Sequence, residues 1–415
     1  MNPPAPQTHP LNRWAAGCFA LFCATLPWTI APMSITSVAT FVLTLALLLF
    51  KPRPRWPFPP TTLAWAGWTL AMALSAAFAL DPAASWPRLS KALFPGLVAL
   101  AAFHSQDARL GRRALAGLLV SSAVVSVYGT VLFVAHGASF AARSRGPVGH
   151  YMTFAGQLLL IVSVATPIAL LAKERRWRWL AGAAAALGAI ALTGTFTRSA
   201  WIGLGVALAT LLAAIRPRWL PALALLFLAG YAIAPADYRD RLHSAFDPHH
   251  PMNVERTYMW DAGLRMFRDH PATGVGLEDL HPIYDRYRSP ASRERVGHLH
   301  SVPIQIAATM GTVGLLAFAA LFVALLCCAT IGLKPMLKTP TLATGLRVGV
   351  LGGLAGFFVA GLFEWNFGDE ELLYLLFTLA GLAWSARGWD RAETTTLAGP
   401  ALVSAATGPR GAVIA

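Results

Sequence analysis

The chain has 415 residues, of which 56% are hydrophobic and only 13% are charged, and its mean hydropathy is +0.55. An ordinary soluble domain carries about 25% charged residues, so this composition excludes an ordinary soluble protein. The net charge of +14 would suit a nucleic acid, but no reader motif accompanies it, and basic membrane loops account for it instead. The sequence predicts an all-α polytopic membrane protein with no nucleic-acid partner and with basic loops against membrane lipids.

Twelve apolar stretches approach the ~17–25 residues that a transmembrane helix needs. The first follows MNPPAPQTHPLNRW and has no small-residue cleavage site after it, so it is expected to be a retained span. The seventh and eighth are short and share one tight connection. The spans are expected at 12–30, 33–50, 61–80, 89–103, 114–135, 151–172, 179–196, 200–215, 219–234, 302–332, 344–364 and 370–386.

Orientation follows from lysine and arginine in the short connections, because these residues resist translocation. With the N-terminus in the cytoplasm, nineteen of the 33 basic residues fall in the even-numbered connections and the termini. Five fall in the odd short connections and nine in 235–301. Both termini are therefore expected in the cytoplasm. The expected division is nine membrane helices (1–234), an external, periplasmic loop domain (235–301), three membrane helices (302–392) and a disordered tail (393–415).

The external segment reads as helical. Its pattern predicts an amphipathic helix from an N-cap at Asn253 to Asp269, with an apolar stripe on one side. A second, polar helix is expected at about 278–288. The other faces of the first helix carry Arg256, Trp260 and Arg265.

Four arginines stand on the predicted outer side, where the charge bias disfavours them. They are Arg143 and Arg145 (FAARSRGPVGHYM), Arg198 (TGTFTRSAW) and Arg256. A single one could be an anchor at the headgroup level. Together they indicate an anion site, because a guanidinium is a permanently charged, rigid fork that matches phosphate. The sequence predicts an outer site for a phosphate-bearing lipid.

Two histidines, His298 and His300 (GHLHSVPIQ), lie where the external segment becomes the tenth span. On a helix, residues two apart point to different faces, so the pair is not expected to form one metal site. The first outer loop has no carboxylate and the chain has no DxD pair, so neither a metal nor a cofactor is expected. Acids of the FEWNFGDEE turn are expected to pair with the arginines structurally. The four cysteines lie within spans, with no disulfide or metal-ligand spacing.

At these residues the chain resembles a known family. His300-Ser301, nine residues and then GTVG reproduce the H-[NSQ]-x9-G-x-x-G signature of the O-antigen ligases (WaaL) of Gram-negative inner membranes. TFTRSAWIGL is similar to the segment in which the wider Wzy/WaaL superfamily keeps an arginine. RTYMWDAGLRMFRDHPATGVG resembles its external helix and D-H-P-x-x-G-x-G turn. The resemblance is detailed over about 145–315. Serine replaces the usual asparagine at the second signature position, and His298 lies outside the pattern.

The resemblance implies a periplasmic glycosyltransferase. The donor would be O-antigen polysaccharide on undecaprenyl pyrophosphate, and the acceptor a sugar hydroxyl of lipid A–core oligosaccharide. Arg198 and Arg256 would stabilise the departing pyrophosphate, with Arg145 and, secondarily, Arg143 binding it. His300 would act as the general base, or else position the acceptor or contact the pyrophosphate. Substrate contacts are further expected from His298, Trp260 and Arg265.

Two alternatives remain at this stage. An O-antigen polymerase, or an oligosaccharyltransferase that glycosylates proteins, would use the same donor with a different acceptor. A transporter or lipid flippase belongs to another class. Transporters tend to show internal repeats and charges near the membrane midplane, whereas here no repeat is visible and the charges gather at one face. The charge distribution therefore disfavours a transporter, and the H-[NSQ]-x9-G-x-x-G match favours the ligase over the polymerase and the oligosaccharyltransferase.

Overall fold

The computed structural model describes residues 10–49 and 55–390, and within them every regular element is helical. The all-α prediction is thus confirmed for this part of the chain. The predicted tail at 393–415 lies outside the described residues. The first nine α-helices are α1 (Pro10–Thr25), α2 (Ile30–Leu49), α3 (Thr61–Ala77), α4 (Pro82–Ser85), α5 (Gly96–His104), α6 (Ala108–Ala135), α7 (Tyr151–Leu171), α8 (Arg175–Thr193) and α9 (Arg198–Ile215).

Eight further α-helices complete the described chain, and short 3₁₀ turns occur at Trp86–Leu93, Pro217–Trp219 and Asn366–Gly368. The segment 235–301 holds three of the eight helices. They are α10 (Leu220–Ile233), α11 (Ala236–Phe246), α12 (Pro251–Asp269), α13 (His281–Tyr287), α14 (Val302–Thr330), α15 (Leu333–Met336), α16 (Leu342–Gly361) and α17 (Glu370–Ala386).

Each of the twelve predicted spans has a helix at its position, but the helices differ in length. By length and apolar composition, six helices of the described residues can cross a membrane: α2, α6, α7, α9, α14 with its extension to Met336, and α16. The chain is therefore a membrane protein, and the count of twelve stays a prediction. The span expected at 89–103 is broken, because Pro95 interrupts it and separates a 3₁₀ turn from the nine-residue α5.

The centre of the bundle is built around α7 and α16, whose 18-residue apolar stretches are 72% and 78% buried. Glycines let α16 approach its neighbours closely. A Cβ on Gly349 would lie 2.6 Å from the Cα of Val164 on α7, and one on Gly356 would lie 2.4 Å from the Gly203 carbonyl oxygen on α9. Small residues are the usual means of close helix packing in membranes, so the central helices are held rigidly.

A kink in α14 receives the turn that follows α12. Gly311 has non-helical φ and ψ of +61° and −156°. A Cβ on it would lie 2.5 Å from the backbone of Ala272, so only glycine fits. We call 270–276 together with 308–313 the clasp. Four backbone hydrogen bonds join its halves, from Val275 to Ala308, Gly276 to Thr309, Thr312 to Pro271 and Val313 to Ala272.

The clasp unites two patterns seen in the sequence. The D-H-P-x-x-G-x-G turn and the first glycine of the G-x-x-G signature are the two halves of one backbone connection. Because α14 begins at Val302, directly after His300, the clasp holds the external helix α12 against the helix that carries the signature histidine.

The ends of the helices separate two groups of polar residues. Helices α7, α9, α14 and α17 begin beside the residues of the site described below. Their far ends are followed by Lys173, Arg216, Lys334 and Arg387 respectively. The 18-residue α9 spans about 27 Å at 1.5 Å per residue. The site and these basic residues therefore lie at opposite ends of the same helices.

Candidate active site

Three guanidinium groups line one cavity of about 250 Å³. Arg198 comes from the first residue of α9, Arg241 from α11 and Arg256 from α12. His300 and Glu364 line the same cavity, which we call the arginine cavity. The predicted anion-binding residues Arg198 and Arg256 are thus brought together. The remaining lining residues are Tyr151, Met152, Thr197, Ser199, Met252, Met259 and Glu294.

Arg198 is held by neutral partners. Its guanidinium donates to the carbonyl and hydroxyl oxygens of Ser244 and, over 3.1 Å, to the Asn253 side-chain oxygen. Only 5% of Arg198 is exposed, and among the described residues no carboxylate lies within 4 Å of it. A buried cation without a counter-ion is costly, so this arrangement favours the binding of an anion.

Asn253 does not cap α12 as predicted, since that helix begins at Pro251 after His250. Its side-chain nitrogen instead donates to the carbonyls of Ser244 and Asp247, over 2.8 and 2.7 Å. Asn253 therefore joins α11 to α12 beneath Arg198.

Arg241 is a site residue that the sequence did not single out. Its Nε donates to the Phe196 carbonyl over 3.1 Å, and its guanidinium lies 4.8 Å from the centre of the Phe140 ring. Burial, together with the nearby charges of Arg198 and Arg143, lowers the pKa of Arg241 to about 10. The side chain is therefore still a cation at neutral pH. In sequence it was one of nine basic residues in 235–301, with no motif around it.

His298 and His300 converge on one carboxylate. The Nδ1 of His300 lies 2.8 Å from Oε1 of Glu364, and the Nε2 of His298 lies 3.9 Å from the same oxygen. The two imidazole rings are 4.4 Å apart between centroids. The expectation that the histidines would point apart was wrong, because they precede α14 in a non-helical segment. We call His298, His300 and Glu364 the histidine cluster.

The backbone of His300 is strained. Its φ of +46° lies in the left-handed region, which is uncommon for residues other than glycine. Phe196, two residues before Arg198, has a φ of +51°. Strained backbone of this kind costs about 1–3 kcal/mol per residue and gathers at functional sites. The segment that carries Arg198 and the segment that carries His300 therefore each contain one strained residue.

Protonation in the histidine cluster follows from its surroundings. Burial opposes ionisation of Glu364, but the hydrogen bond from His300 and the electrostatic effect of His300 and of the Arg256 guanidinium lower its pKa below the usual range. Burial, with the charge of His300, lowers the pKa of His298 to about 4. At neutral pH Glu364 is thus an anion and His298 is neutral. An anionic carboxylate only accepts hydrogen bonds, so His300 donates its Nδ1–H to Glu364.

Glu364 also joins the histidine cluster to the arginine cavity. Arg256 lies 3.6 Å from its Oε2, and the backbone N–H of Trp365 donates to its Oε1 over 3.1 Å. The predicted pairing of the FEWNFGDEE turn with the arginines is therefore confirmed for Glu364. Its contact with His300 was not foreseen, since 64 residues separate the two in sequence.

The histidine cluster has the donor set of a possible metal site. One ligand atom from each of its three residues lies within 4.8 Å of the others. Glu364 thus supplies the acidic partner that the sequence seemed to lack, and that argument against a metal was wrong. The Arg256 cation beside the carboxylate opposes a second cation there. The absence of a metal stays a prediction.

The predicted residues Arg143, Arg145 and Arg265 do not line the arginine cavity. Arg143 stacks on Phe140 and Tyr151, with its guanidinium 4.0 and 4.1 Å from the ring centres. Arg145 is exposed and lines a neighbouring cavity with Arg143. Arg265 is exposed and pairs with Asp261 at 2.5 Å, outside the site. Of these three, only Arg143 contacts a residue that lines the arginine cavity, namely Tyr151.

Trp260 lines an adjoining cavity of about 400 Å³, shared with Arg198 and Arg256. Its ring centroid is 6.4 Å from that of Phe363. Apolar side chains supply much of the rest of the wall, so we call it the apolar cavity. They include Ile202, Ala245, Phe246 and Pro248.

The fold and the site define an all-helical membrane protein with a cluster of three arginines beside a histidine–carboxylate pair at one end of the bundle. Within that class, residues 183–319, about a third of the chain, match the family model of O-antigen ligase, Wzy_C. The resemblance seen in the sequence motifs is thereby confirmed. The matched region includes Arg198, Arg241, Arg256 and both histidines, but not Glu364. A search of the curated proteins gave no significant match.

Proposed function

We propose that the protein is an O-antigen ligase that transfers O-antigen polysaccharide from undecaprenyl pyrophosphate to a sugar hydroxyl of lipid A–core oligosaccharide. The observation that carries the proposal is a single cavity lined by three guanidinium groups and by a histidine that is hydrogen-bonded to a buried carboxylate. The first set suits a pyrophosphate leaving group, and the second suits removal of a hydroxyl proton. The Wzy_C match supports the same class of reaction.

The arginines bind the pyrophosphate in this proposal. As the bond from sugar C1 to the pyrophosphate oxygen breaks, negative charge grows on that oxygen. Preorganised donors aimed at such charge are usually the largest catalytic contribution, and one contact is worth ~2.7–4 kcal/mol. The apolar cavity shares Arg198 and Arg256 with the arginine cavity. It therefore offers the lipid chain of the donor an apolar path leading away from its charged headgroup.

His300 acts as the general base. The acceptor hydroxyl oxygen forms a bond to C1 while the C1–O bond to pyrophosphate breaks, and its proton moves to Nε2 of His300. The leaving undecaprenyl pyrophosphate keeps the electron pair, and the anomeric centre is inverted. Glu364, at 2.8 Å from Nδ1, stabilises the imidazolium as it forms and fixes the ring. General base catalysis of this kind contributes typically ~10²–10⁴-fold.

The proposed membrane is the bacterial inner membrane, with both termini in the cytoplasm and the site in the periplasm. This follows from the positive-inside bias and from the position of the site at the helix ends opposite Lys173, Arg216 and Lys334. Reporter fusions test it. Fusions at Arg178 and Lys338 should report the cytoplasm and a fusion at Pro290 the periplasm. A cytoplasmic report at Pro290 would remove the site from its lipid-linked substrates.

The decisive test separates binding from chemistry. In a reconstituted assay with both lipid substrates, His300→Ala should abolish ligation, because the base is lost, yet bind undecaprenyl pyrophosphate as the parent protein does. His298→Ala should be milder, since the neutral His298 lies farther from Glu364. Ligation is measured as modified lipopolysaccharide on a gel. A fully active His300→Ala protein would refute the mechanism, and the opposite ranking of the two variants would identify His298 as the base.

The choice of acceptor distinguishes the ligase from related activities. The purified protein should join the donor glycan to lipid A–core. Growth of the donor glycan on its own lipid would identify a polymerase instead, and transfer to a protein would identify an oligosaccharyltransferase.

A further inference from the structure

A cavity distinct from the arginine cavity and the apolar cavity lies on the other side of the histidine cluster. It has a volume of about 570 Å³, and aromatic side chains form much of its wall, so we call it the aromatic cavity. His298 lines it, whereas His300 lines the arginine cavity. With 4.4 Å between the two ring centroids, the histidine pair forms the boundary between the cavities. The aromatic wall consists of Trp68, Phe94, Trp365, Phe367 and Phe377.

The aromatic cavity contains a buried polar atom without a partner. Glu278 is 9% exposed and lines the cavity. Its Oε2 accepts a hydrogen bond from Ser85, and Ser85 also accepts one from the Leu277 backbone N–H over 3.1 Å. Its Oε1 is buried and has no hydrogen-bond partner among the described residues. Because an unsatisfied buried oxygen is unfavourable, a ligand that brings a hydroxyl to Oε1 would be stabilised by that contact.

Several charged groups around the aromatic cavity have partners, although Arg88 also lines it. Arg295 pairs with Asp285. Lys91 donates to the Gly368 carbonyl over 3.0 Å and pairs with Glu370 at 3.6 Å. Asp279 accepts hydrogen bonds from His281 at 2.7 Å. The arginine cavity, by contrast, contains Arg198 with no carboxylate within 4 Å. The aromatic rings and the unsatisfied oxygen of Glu278 therefore suit a ligand with hydroxyl groups and apolar ring faces, which is the chemistry of a sugar.

We propose that the aromatic cavity binds the acceptor sugar, with Trp365 packing against its ring and Glu278 accepting one of its hydroxyls. This proposal rests on the proposed function. In an inverting displacement the attacking oxygen and the leaving group lie on opposite sides of C1. With the pyrophosphate among the arginines, the acceptor approaches from the far side of the histidine cluster, where the aromatic cavity lies. The acceptor hydroxyl then passes His298 to reach Nε2 of His300.

The variants are chosen to keep the fold. Glu278→Gln preserves the shape of the side chain and an oxygen for Ser85, while Trp365→Ala removes the aromatic face. Each should raise the KM for lipid A–core about tenfold, the effect expected for one hydrogen bond to a carboxylate or one aromatic contact. The Kd for undecaprenyl pyrophosphate should stay within twofold of the parent value. Matched controls are Trp179→Ala, an exposed tryptophan on α8, and Glu174→Gln, which pairs with Arg112.

A second measurement does not depend on catalysis. Labelled core oligosaccharide, released from its lipid, should bind the full-length protein in lipid nanodiscs, and both variants should weaken that binding about tenfold. Binding without ligation in the parent protein would support the sugar site and contradict the proposed function. Ligation with an unchanged acceptor KM in both variants would overturn the sugar site and leave the proposed function standing. A raised donor Kd with an unchanged acceptor KM would assign the cavity to the donor glycan and also overturn the proposal.

Discussion

Two arginines are buried at opposite ends of the helical bundle, and their surroundings differ. Arg198 is 5% exposed and Arg347 is 0% exposed. Arg347 donates to the Ile331 carbonyl at 2.5 Å and contacts the sulfur of Met336 at 2.9 Å. The Ile331 carbonyl lies just past the end of α14, where carbonyls lack helical partners and a cation is favourable. Arg347 therefore stabilises the C-terminal end of α14.

Arg198 has a different environment. It lines a cavity with two further guanidinium groups, and its protein partners leave its charge uncompensated. The comparison shows that burial alone does not mark a functional arginine. Arg198 differs from Arg347 in that it faces a cavity lined by two further guanidinium groups, an arrangement that suits an anion.

The largest expected effect is the opposite response of these two arginines. Arg198→Ala should lower ligation by about 10²–10³-fold with a small change in Tm, whereas Arg347→Ala should lower Tm and leave the Kd for undecaprenyl pyrophosphate within twofold. Arg198→Lys should fail nearly as badly as Arg198→Ala, because a single ammonium cannot replace the forked hydrogen bonds. Ligation, donor binding and thermal unfolding of each purified variant are measured. Equal losses of Tm and activity in both alanine variants would contradict the distinction.

A smaller effect is expected at Arg241, whose charge lies beside those of Arg198 and Arg143. Arg241→Ala should weaken binding of undecaprenyl pyrophosphate about tenfold, since one charged contact of roughly 1.5 kcal/mol is lost. Arg239→Ala is the matched control, because Arg239 is exposed on the same helix. Indistinguishable affinities for the two variants would show that Arg241 lines the cavity without contacting the anion.

A third change acts on the site through the backbone. Gly311→Ala should lower the stability by at least ~1–3 kcal/mol, because alanine is strained at a φ of +61° and its Cβ would clash with Ala272. The loss is read from thermal unfolding in detergent. Gly17→Ala is the control, since Gly17 lies in α1 with nothing within 4 Å of an added Cβ. Unfolding temperatures that match in the two variants would mean that the clasp does not depend on this glycine.

The smallest expected effect is that of a chelator. If the arginines alone neutralise the pyrophosphate, ligation by the purified protein should be unchanged in EDTA. The structure makes this a sharper test, because the histidine cluster has the donor set of a metal site. Activity that is lost in EDTA and restored by a divalent ion would give the histidine cluster the role assigned here to the arginines.

The sequence predicted the helices well, because apolar runs and prolines are local features. A helix lies at the position of each of the twelve predicted segments, although the stretch at 89–103 is divided at Pro95 and six helices meet the limits for a membrane span. Arg198, Arg256 and His300 were recognised from motifs, and the structure brings all three to one cavity. Six predicted spans fall on helices that do not meet the length and composition limits for crossing a membrane. A local sequence pattern does not determine whether these helices span the membrane.

The parts of the site that were missed depend on tertiary contacts. Arg241 has no motif around it, and Glu364 meets His300 across 64 residues of sequence. The relation between the histidines was misjudged because a helical spacing was assumed where the chain bends before α14 and where His300 itself has a positive φ. Pairwise proximity of this kind cannot be derived from periodicity or charge counting.

The clasp has a consequence for building chimeric enzymes. Its two halves, 270–276 and 308–313, are joined by four backbone hydrogen bonds and by a glycine that admits no side chain. Swapping either half alone between related enzymes would pair a loop with a helix kink shaped for another partner. Although more than thirty residues separate them, the two segments constitute one exchangeable cassette, and grafts that move both together should preserve the position of His300.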